Sequence, residues 1–184
     1  MPVTPGEVAE VYRTAQQLYS ASDVEAALDR LAVEISSDLA GKSPVLLCTM
    51  QGGLVTTGKL MERLAFPLTL DYLHATRYHG STDGRELEWI RHVPGTIRGK
   101  TILIIDDIFD QGITLAEIIK ECEVAGAAEV FTVVLVEKDC PHQVDIKPDY
   151  IGLVVDDRYV FGYGMDYKGY LRNVPGIYAV SVKG

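Results

Sequence analysis

Apolar and polar positions alternate along the chain with two different periods, which predicts helices interleaved with strands. The predicted helices, where apolar residues recur every three or four positions, cover residues 6–20, 24–39, 54–64 and 114–127. The predicted strands, which are short and nearly continuous apolar runs, cover residues 44–50, 68–78, 101–108, 130–138 and 150–155. A capping box from Ser22 to Glu25 is expected to open the second helix. Helices between strands predict an α/β fold with a mostly parallel sheet flanked by helices on both faces.

Composition narrows the class of protein. The chain has 184 residues, of which 47% are hydrophobic and 23% charged, as expected for one globular domain. Its formal net charge of −9 argues against a nucleic-acid or anionic-membrane partner, because either would need a basic face. Three scattered cysteines, no apolar run of membrane-spanning length and no signal-peptide pattern at the N-terminus predict a cytoplasmic protein.

Chemically suggestive residues follow three of the predicted strands. The segment MQGG follows the first strand at 50–53, the second strand runs into DDIFDQGIT at 106–114, and the third ends in EKD at 137–139. In an open parallel sheet, ligands bind beyond the carboxyl ends of the strands. The three segments are therefore expected to meet at one edge of the sheet.

The segment ILIIDDIFDQGIT, residues 102–114, combines acids with a predicted anion site. Residues 110–114 lie at a strand-to-helix turn, where backbone N–H groups, the Thr114 hydroxyl and the positive helix end suit a phosphate monoester. Asp106 and Asp107 suit ribose hydroxyls or a magnesium ion, which prefers oxygen ligands. A phosphorylated sugar accounts for both features. Two alternatives stay open at this point, which are an acid that merely caps a helix and a bare metal site like that of receiver-type signalling domains.

These motifs resemble the type I phosphoribosyltransferases. Branched apolar residues, two acids, two spacers and D-x-G-x-T match the signature of that family over 102–114. The segments LVEKD at 135–139 and DRYVFGYGMDYKGYLRNVPGIYAV at 157–180 are similar to its hypoxanthine-guanine branch, and MQGG resembles the diphosphate loop. The resemblance implies a small hood, formed by the N-terminal helices and residues 141–184, over a core of about residues 35–140. It covers roughly residues 44–180.

The resemblance implies purine salvage, in which 5-phosphoribosyl is transferred from phosphoribosyl diphosphate to hypoxanthine or guanine, giving IMP or GMP and diphosphate. It implies Mg²⁺ as cofactor and a homodimer or homotetramer. The implied catalytic residue is Asp110, the general acid or base that faces purine N7. Residues implied to bind ribose and the 5-phosphate are Asp106, Asp107, Asp110, Gln111, Gly112, Ile113 and Thr114. Those implied to bind the purine are Lys138, Tyr159, Val160 and Asp166.

The resemblance assigns three further groups. Residues implied to bind diphosphate are Gln51, Gly52, Gly53 and Arg172. Residues implied to bind the metal are Asp106, Asp107 and Asp166. Arg77 and Tyr78 would open a lid that closes over the reacting centre, within a polar segment expected to be mobile. Lys138 and Asp110 are expected at opposite edges of the bound purine, and adenine is expected to be rejected because an ammonium group only donates.

The chain also departs from the family pattern. Gln111 stands where threonine is common, Ile113 where a basic or small polar residue is common, and Gln51 where a basic residue is frequent. Arg77 replaces a common serine. Lys138 and Arg172 also have ordinary explanations, as a solvated lysine and a surface ion-pair partner.

Three functions remain possible from the sequence. The enzyme accounts for every motif and is our prediction, with a preference for xanthine as a variant of it. A non-catalytic phosphoribosyltransferase-like regulator that binds nucleic acid is disfavoured by the acidic charge. A receiver-like domain accounts for the paired acids but leaves the phosphate loop, MQGG and the aromatic tail unexplained.

Overall fold

The computed structural model describes residues 3–77 and 87–181, with only the backbone of Arg77. The α-helices are α1 (Pro5–Thr14), α2 (Ala21–Leu39), α3 (Gly53–Met61) and α4 (Ile113–Val124). The strands are β1 (Gln16–Tyr19), β2 (Val45–Met50), β3 (Thr69–Arg77), β4 (Leu87–Arg91), β5 (Thr101–Phe109), β6 (Glu129–Asp139), β7 (Tyr150–Asp156), β8 (Val160–Phe161) and β9 (Ile177–Ala179). A 3₁₀ turn covers Gly95–Ile97.

The central sheet has six strands in the order β4-β3-β2-β5-β6-β7. All neighbouring strands pair in parallel except β3 and β4, so the mostly parallel α/β fold is confirmed. The chain order reverses between β2 and β5, so their carboxyl ends flank the crevice in which such sheets bind ligands. The sheet topology therefore fixes where a site should lie before any side chain is considered.

Strand β5 is buried on both faces, which explains its continuous apolar sequence. Leu103 and Ile105 pack in a core with helix α2, while Ile102 and Ile104 pack in a second core with helix α4. All four side chains are fully buried. Because burying one such side chain stabilises the fold by about 1.5–3 kcal/mol, the strand that carries the acids is rigidly held.

A second sheet of three antiparallel strands, in the order β1-β9-β8, forms the hood. The predicted helix over 6–20 is wrong beyond Thr14, because Gln16–Tyr19 pairs with β9 as a strand. Ala15 is already extended (φ −64°, ψ 148°), and pairing with a distant strand satisfies the backbone that the local pattern assigned to a helix. The tertiary contact thus overrides the local period.

The capping box of α2 begins two residues earlier than expected. Ser20, not Ser22, is the N-cap, and its hydroxyl accepts from the Asp23 N–H while the Asp23 carboxylate accepts from the Ser20 N–H. Ser20 with Asp23 and Ser22 with Glu25 could each form a capping box, so the sequence alone does not distinguish between the two starting points of the helix.

Two further features differ from the sequence expectations. Strand β4 was not predicted and pairs with β3 at the edge of the sheet. Strand β7, inside the 141–184 segment expected in the hood, extends the central sheet by pairing with β6. Within the described residues, none of the helices has the combination of length and apolar character needed to cross a bilayer.

Glu25 joins the core helices to the hood. Its carboxylate accepts from the Tyr163 hydroxyl at 2.6 Å and pairs with Lys59 at 2.9 Å and with Arg63 at 2.5 Å. These partners, the Tyr163 hydrogen bond foremost, lower the pKa of Glu25 to about 2. The carboxylate therefore connects α2, α3 and the segment after β8 in its ionised form.

Candidate active site

Two adjacent acids lie near the carboxyl end of β5. Asp106 is buried with 8% of its surface exposed, and the Asp107 N–H donates to Asp106 Oδ1 at 3.0 Å. Burial raises the pKa of both carboxyls above the usual range, and repulsion from Asp107 raises that of Asp106 further. A positively charged partner would stabilise the ionised form of this pair, because ionising two adjacent buried carboxylates costs free energy.

The turn after β2 packs directly on these acids. A Cβ added to Gly52 would lie 2.0 Å from Asp107 Oδ2, and one added to Gly53 would lie 2.5 Å from the Ile105 carbonyl oxygen. From the other side, a Cβ on Gly164 would lie 2.1 Å from the Gly52 carbonyl oxygen. A side chain at any of these positions would force neighbouring atoms to move, so the two glycines of the MQGG segment are explained by close packing. The Met50–Gln51 peptide bond is cis.

Residues 110–112 form the loop between β5 and α4. Gly112 has a positive φ of 83°, and its carbonyl accepts from Ala116 N–H at 3.0 Å in the first helical hydrogen bond. The N–H groups of the first turn have no partner within the helix, and the helix dipole makes this end positive. Thr114 lines the neighbouring cleft. This arrangement suits an anion such as a phosphate monoester.

Arg172 lies between two acids of the site. Its guanidinium contacts Asp166 Oδ1 at 2.6 Å and Asp107 Oδ2 at 3.9 Å, and it donates to the Gly164 carbonyl at 2.5 Å. Its Nε is buried and has no hydrogen-bond partner among the described residues. Arg172 is therefore part of the site and not a solvated surface residue.

A cleft of about 500 Å³ collects these elements at the carboxyl edge of the sheet. It is lined by Thr49, Met50, Gln51, Gly52, His74, Ala75, Thr76, Asp106, Asp107, Ile108, Phe109, Asp110, Gly112, Thr114, Leu115, Tyr159, Asp166 and Arg172. Within the described part of the chain, these residues include four aspartates and a single arginine or lysine. The cleft is thus acidic beside a loop suited to anions.

A smaller cavity of about 200 Å³ adjoins the cleft and shares four lining residues with it, Ile108, Asp110, Tyr159 and Asp166. Its lining residues are Ile108, Asp110, Lys138, Tyr159, Val160, Met165 and Asp166. Lys138 Nζ lies 3.2 Å from Asp110 Oδ2, with a second acid, Asp157, at 3.4 Å. The cavity therefore combines apolar walls with one ammonium group and two carboxylates.

The structure brings most of the expected site residues to these two cavities. Gln111 and Ile113 belong to the loop and to the first turn of α4 but are not among the described lining residues of the cleft. Gly53 lies behind the cleft against β5. Arg77 ends β3, its side chain and all of Tyr78 lie outside the described residues, and so does most of the expected lid.

Three polar neighbours of Asp110 were missed from the sequence. His142 and Cys140 contact its backbone carbonyl at 2.6 and 3.8 Å, and Asp157 shares Lys138 with it. One atom from each of Asp110, Cys140 and Asp157 lies within 4.8 Å of the others. The only signal for them in the sequence is proximity to the EKD and DRYV segments.

A family model described as phosphoribosyl transferase domain matches residues 14–168. The chain belongs to this family. A hypoxanthine-guanine-xanthine phosphoribosyltransferase of Tritrichomonas foetus is 30% identical over 87% of the chain and 88% of its own length. A hypoxanthine-guanine phosphoribosyltransferase of Bacillus subtilis is 30% identical over 87% of the chain and 89% of its length.

Comparison with solved structures supports the same family. The crystal structure of a hypoxanthine phosphoribosyltransferase from Staphylococcus aureus superimposes with a TM-score of 0.85 at 28% identity, covering 90% of this chain and 91% of that one. The chain is therefore a type I phosphoribosyltransferase of the hypoxanthine-guanine branch, and the predicted enzyme class and fold are confirmed. The regulator and receiver alternatives are not favoured.

Proposed function

We propose that this enzyme transfers 5-phosphoribosyl from phosphoribosyl diphosphate to hypoxanthine or guanine, giving IMP or GMP and diphosphate in purine salvage. The observation that carries the proposal is the junction of the two cavities at Asp110. The smaller cavity offers apolar walls and the Lys138 ammonium group to a base, and the larger cleft combines acids, an arginine and a helix N-terminus suited to an anion. The bond to be formed would lie where they meet.

The sugar phosphate would occupy the larger cleft. The 5-phosphate would be held by residues 110–114, through backbone N–H groups and the Thr114 hydroxyl. Asp106 and Asp107 would accept from the ribose hydroxyls. Diphosphate would lie against Gln51–Gly53 and the guanidinium group of Arg172.

The purine would occupy the smaller cavity, with Lys138 donating to O6 and Asp110 facing N7. These two atoms are neighbours on one edge of a 6-oxopurine. The 3.2 Å between Lys138 Nζ and Asp110 Oδ2 fits neighbouring atoms, so we assign both residues to one edge in place of the opposite edges expected from the sequence. Tyr159 would stack on the ring, while Val160 and Asp166 would lie near the remaining edge. An amino group at C6 would meet the lysine donor to donor, so adenine would be rejected.

The proposed chemistry follows from where charge develops. Breaking the bond between the anomeric carbon and diphosphate builds positive charge on that carbon and negative charge on diphosphate. As purine N9 forms its bond to the anomeric carbon, Asp110 would accept the proton of N7, and Arg172 would stabilise the charge on the departing diphosphate. The apolar walls of the smaller cavity would keep water away from the reacting carbon.

The buried acid pair also fits a magnesium ion. Mg²⁺ prefers carboxylate oxygens and keeps several waters, and the raised pKa of Asp106 and Asp107 marks a deficit of positive charge beside them. When bound, the ion would neutralise charge on diphosphate and ribose oxygens. Asp166 is the third proposed ligand, although Arg172 and the Gly169 N–H already engage its two oxygens at 2.6 Å each.

We propose that the enzyme is a homodimer or homotetramer assembled through an apolar groove between α3 and β3. The groove has a volume of about 550 Å³, and the side chains of Leu54, Met61, Leu70 and Tyr72 in its lining are about half exposed. Contiguous apolar surface of this kind marks association sites. Leu70→Glu should lower the sedimentation mass, whereas Val33→Glu on an exposed face of α2 should not.

We further propose a cytoplasmic location and no nucleic-acid or membrane partner. Support comes from the three thiols, all free, and from the net charge of −9. Fractionation of cells that express the chain would test the location.

The decisive experiment incubates the protein with phosphoribosyl diphosphate, Mg²⁺ and one base at a time. Hypoxanthine or guanine should give nucleotide and diphosphate, and adenine should give neither. Xanthine is the informative third base, since an exclusive reaction with xanthine would replace the proposed substrates. Absence of nucleotide with all four bases would overturn the proposed function.

A further inference from the structure

Residues 140–144, which follow β6, lie against the loop that precedes α4. His142 Nδ1 lies 2.6 Å from the Asp110 carbonyl oxygen, and the ring nitrogen must be the donor because a carbonyl only accepts. One residue further along both segments, the Gln143 N–H donates to the Gln111 carbonyl oxygen at 3.0 Å. Two consecutive carbonyl groups of the loop are therefore held from the same side.

The next pair continues this register. A Cβ added to Gly112 would lie 2.3 Å from Val144 Cγ2 and 2.8 Å from Phe109 Cζ, so the glycine is packed between the two side chains. Three successive residues of the 140–144 segment thus contact three successive residues of the loop. The loop conformation depends on this backing as well as on its own sequence.

Peptide geometry converts these contacts into an orientation of the loop donors. In a trans peptide the C=O of one residue and the N–H of the next point in opposite directions. The cis bond within the described residues is Met50–Gln51, so both loop peptides are trans. Holding the Asp110 and Gln111 carbonyls toward the 140–144 segment turns the N–H groups of Gln111 and Gly112 the other way.

His142 is itself fixed by two further contacts. Its ring packs on Phe109 with the ring centroids 4.6 Å apart, and its Nε2 lies 3.6 Å from Glu137 Oε1. Phe109 and Glu137 are paired in register on β5 and β6. The hydrogen bond to Asp110 is therefore anchored on two neighbouring strands of the central sheet.

We propose that His142 is a positioning residue for the 5-phosphate. It holds the Asp110 carbonyl so that the loop N–H groups are oriented toward the phosphate before substrate arrives. Preorganised donors bind an anion more tightly because their ordering is completed in the free protein. The inference rests on the proposed function, since it requires that the loop binds a phosphate monoester.

The test compares binding of IMP with binding of inosine, which differ only in the 5-phosphate. The dissociation constant of inosine divided by that of IMP, both measured by calorimetry, reports how much the phosphate contributes to binding. His142→Asn places an amide donor where Nδ1 was, His142→Gln places it where Nε2 was, and His142→Phe keeps only the ring. We expect His142→Asn to preserve the ratio, and the other two variants to lower it by about tenfold, as for one lost hydrogen bond.

Each outcome decides between orientation and general packing. If a variant bound both IMP and inosine more weakly by the same factor, His142 would have only a structural role. An unchanged ratio of dissociation constants in His142→Gln would overturn the inference. Equal loss in His142→Asn and His142→Gln would do so as well. If the unsubstituted protein bound inosine as tightly as IMP, the proposed function itself would fail.

Discussion

Lys138 and Asp110 share one hydrogen bond, although they lie on different elements. Lys138 belongs to β6, Asp110 follows the neighbouring strand β5, and 3.2 Å separates Nζ from Oδ2. In the free protein each group satisfies the other. In the proposed complex both would turn to adjacent atoms of the same purine edge, so substitutions at the two positions should have separable effects.

Substituting Asp110 by Asn should mainly affect the rate of the chemical step. The amide keeps the shape of the side chain but cannot accept the purine proton. We expect kcat to fall by roughly 10²- to 10⁴-fold with little change in KM for phosphoribosyl diphosphate. Steady-state kinetics would check this, with Asp157→Asn as the control, because Asp157 also contacts Lys138 but is 65% exposed. Full turnover in Asp110→Asn would show that the base does not bind as proposed.

Substituting Lys138 by Gln should change base selectivity. Glutamine can accept as well as donate, so the discrimination against adenine should relax. Binding of hypoxanthine should weaken by about 1.5–3 kcal/mol, the worth of a hydrogen bond to a charged group. Competition between hypoxanthine and adenine in one reaction would measure the ratio of kcat/KM. The proposed contact with O6 is wrong if that ratio matches the unsubstituted enzyme.

Magnesium and protons should compete for the acid pair. Because burial raises the pKa of Asp106 and Asp107, both bind protons more readily than in the unfolded chain, and the affinity for Mg²⁺ should fall as pH decreases through the raised pKa values. Chelation should abolish turnover.

Asp106→Asn should raise the Tm of the metal-free protein at neutral pH while removing the increase in Tm that Mg²⁺ causes. Asp29→Asn, at an exposed acid of α2, is the control, and activity in excess chelator would contradict a metal role.

Substituting Gly52 by Ala should damage the site without unfolding the protein. The added Cβ would overlap Asp107 Oδ2, which is 2.0 Å from its ideal position, so the carboxylate must move. We expect the KM for phosphoribosyl diphosphate to rise, and we expect a higher concentration of Mg²⁺ to be needed for half-maximal activity. The control is Gly6→Ala in α1, where the nearest atom to the added Cβ is 3.9 Å away and alanine should stabilise the chain by about 0.4–1 kcal/mol. Unchanged kinetics in Gly52→Ala would argue against the packing of this turn on Asp107.

Glu25 should make stability depend on pH. Its pKa is lowered to about 2, so its contribution is present above the ordinary pKa of 4.5 and is lost as pH falls toward 2. Glu25→Gln should lower the free energy of unfolding at neutral pH by about 1–2 kcal/mol, a range that allows for the partial exposure of the side chain. The same substitution should have almost no effect near pH 2. Denaturant titrations at several pH values would check this. Glu34→Gln, which removes an exposed pair on the same helix, should have little effect at any pH.

The sequence determined the architecture of the core and the location of the chemistry. Continuous apolar runs such as β5 predict strands that are buried on both faces, and the acids and loop residues that follow them are adjacent along the chain. Motifs of this kind are local, so residues 106–114 and 50–53 could be selected as candidates from their places after predicted strands and assigned roles from their resemblance to a known family. The glycines at 52 and 53 were found in the same way, although their reason, close contact with Asp107 and Ile105, was not visible.

Tertiary structure decided everything that depends on contacts between distant segments. Residues 16–19 carry a helical pattern yet form a strand, because pairing with 177–179 satisfies their backbone hydrogen bonds. Lys138 and Asp110 lie 3.2 Å apart, because parallel neighbouring strands end side by side. The contacts of residues 140–144 with the loop at 110–112 have no signature in the sequence, since a backbone carbonyl can accept from any donor that the fold places beside it.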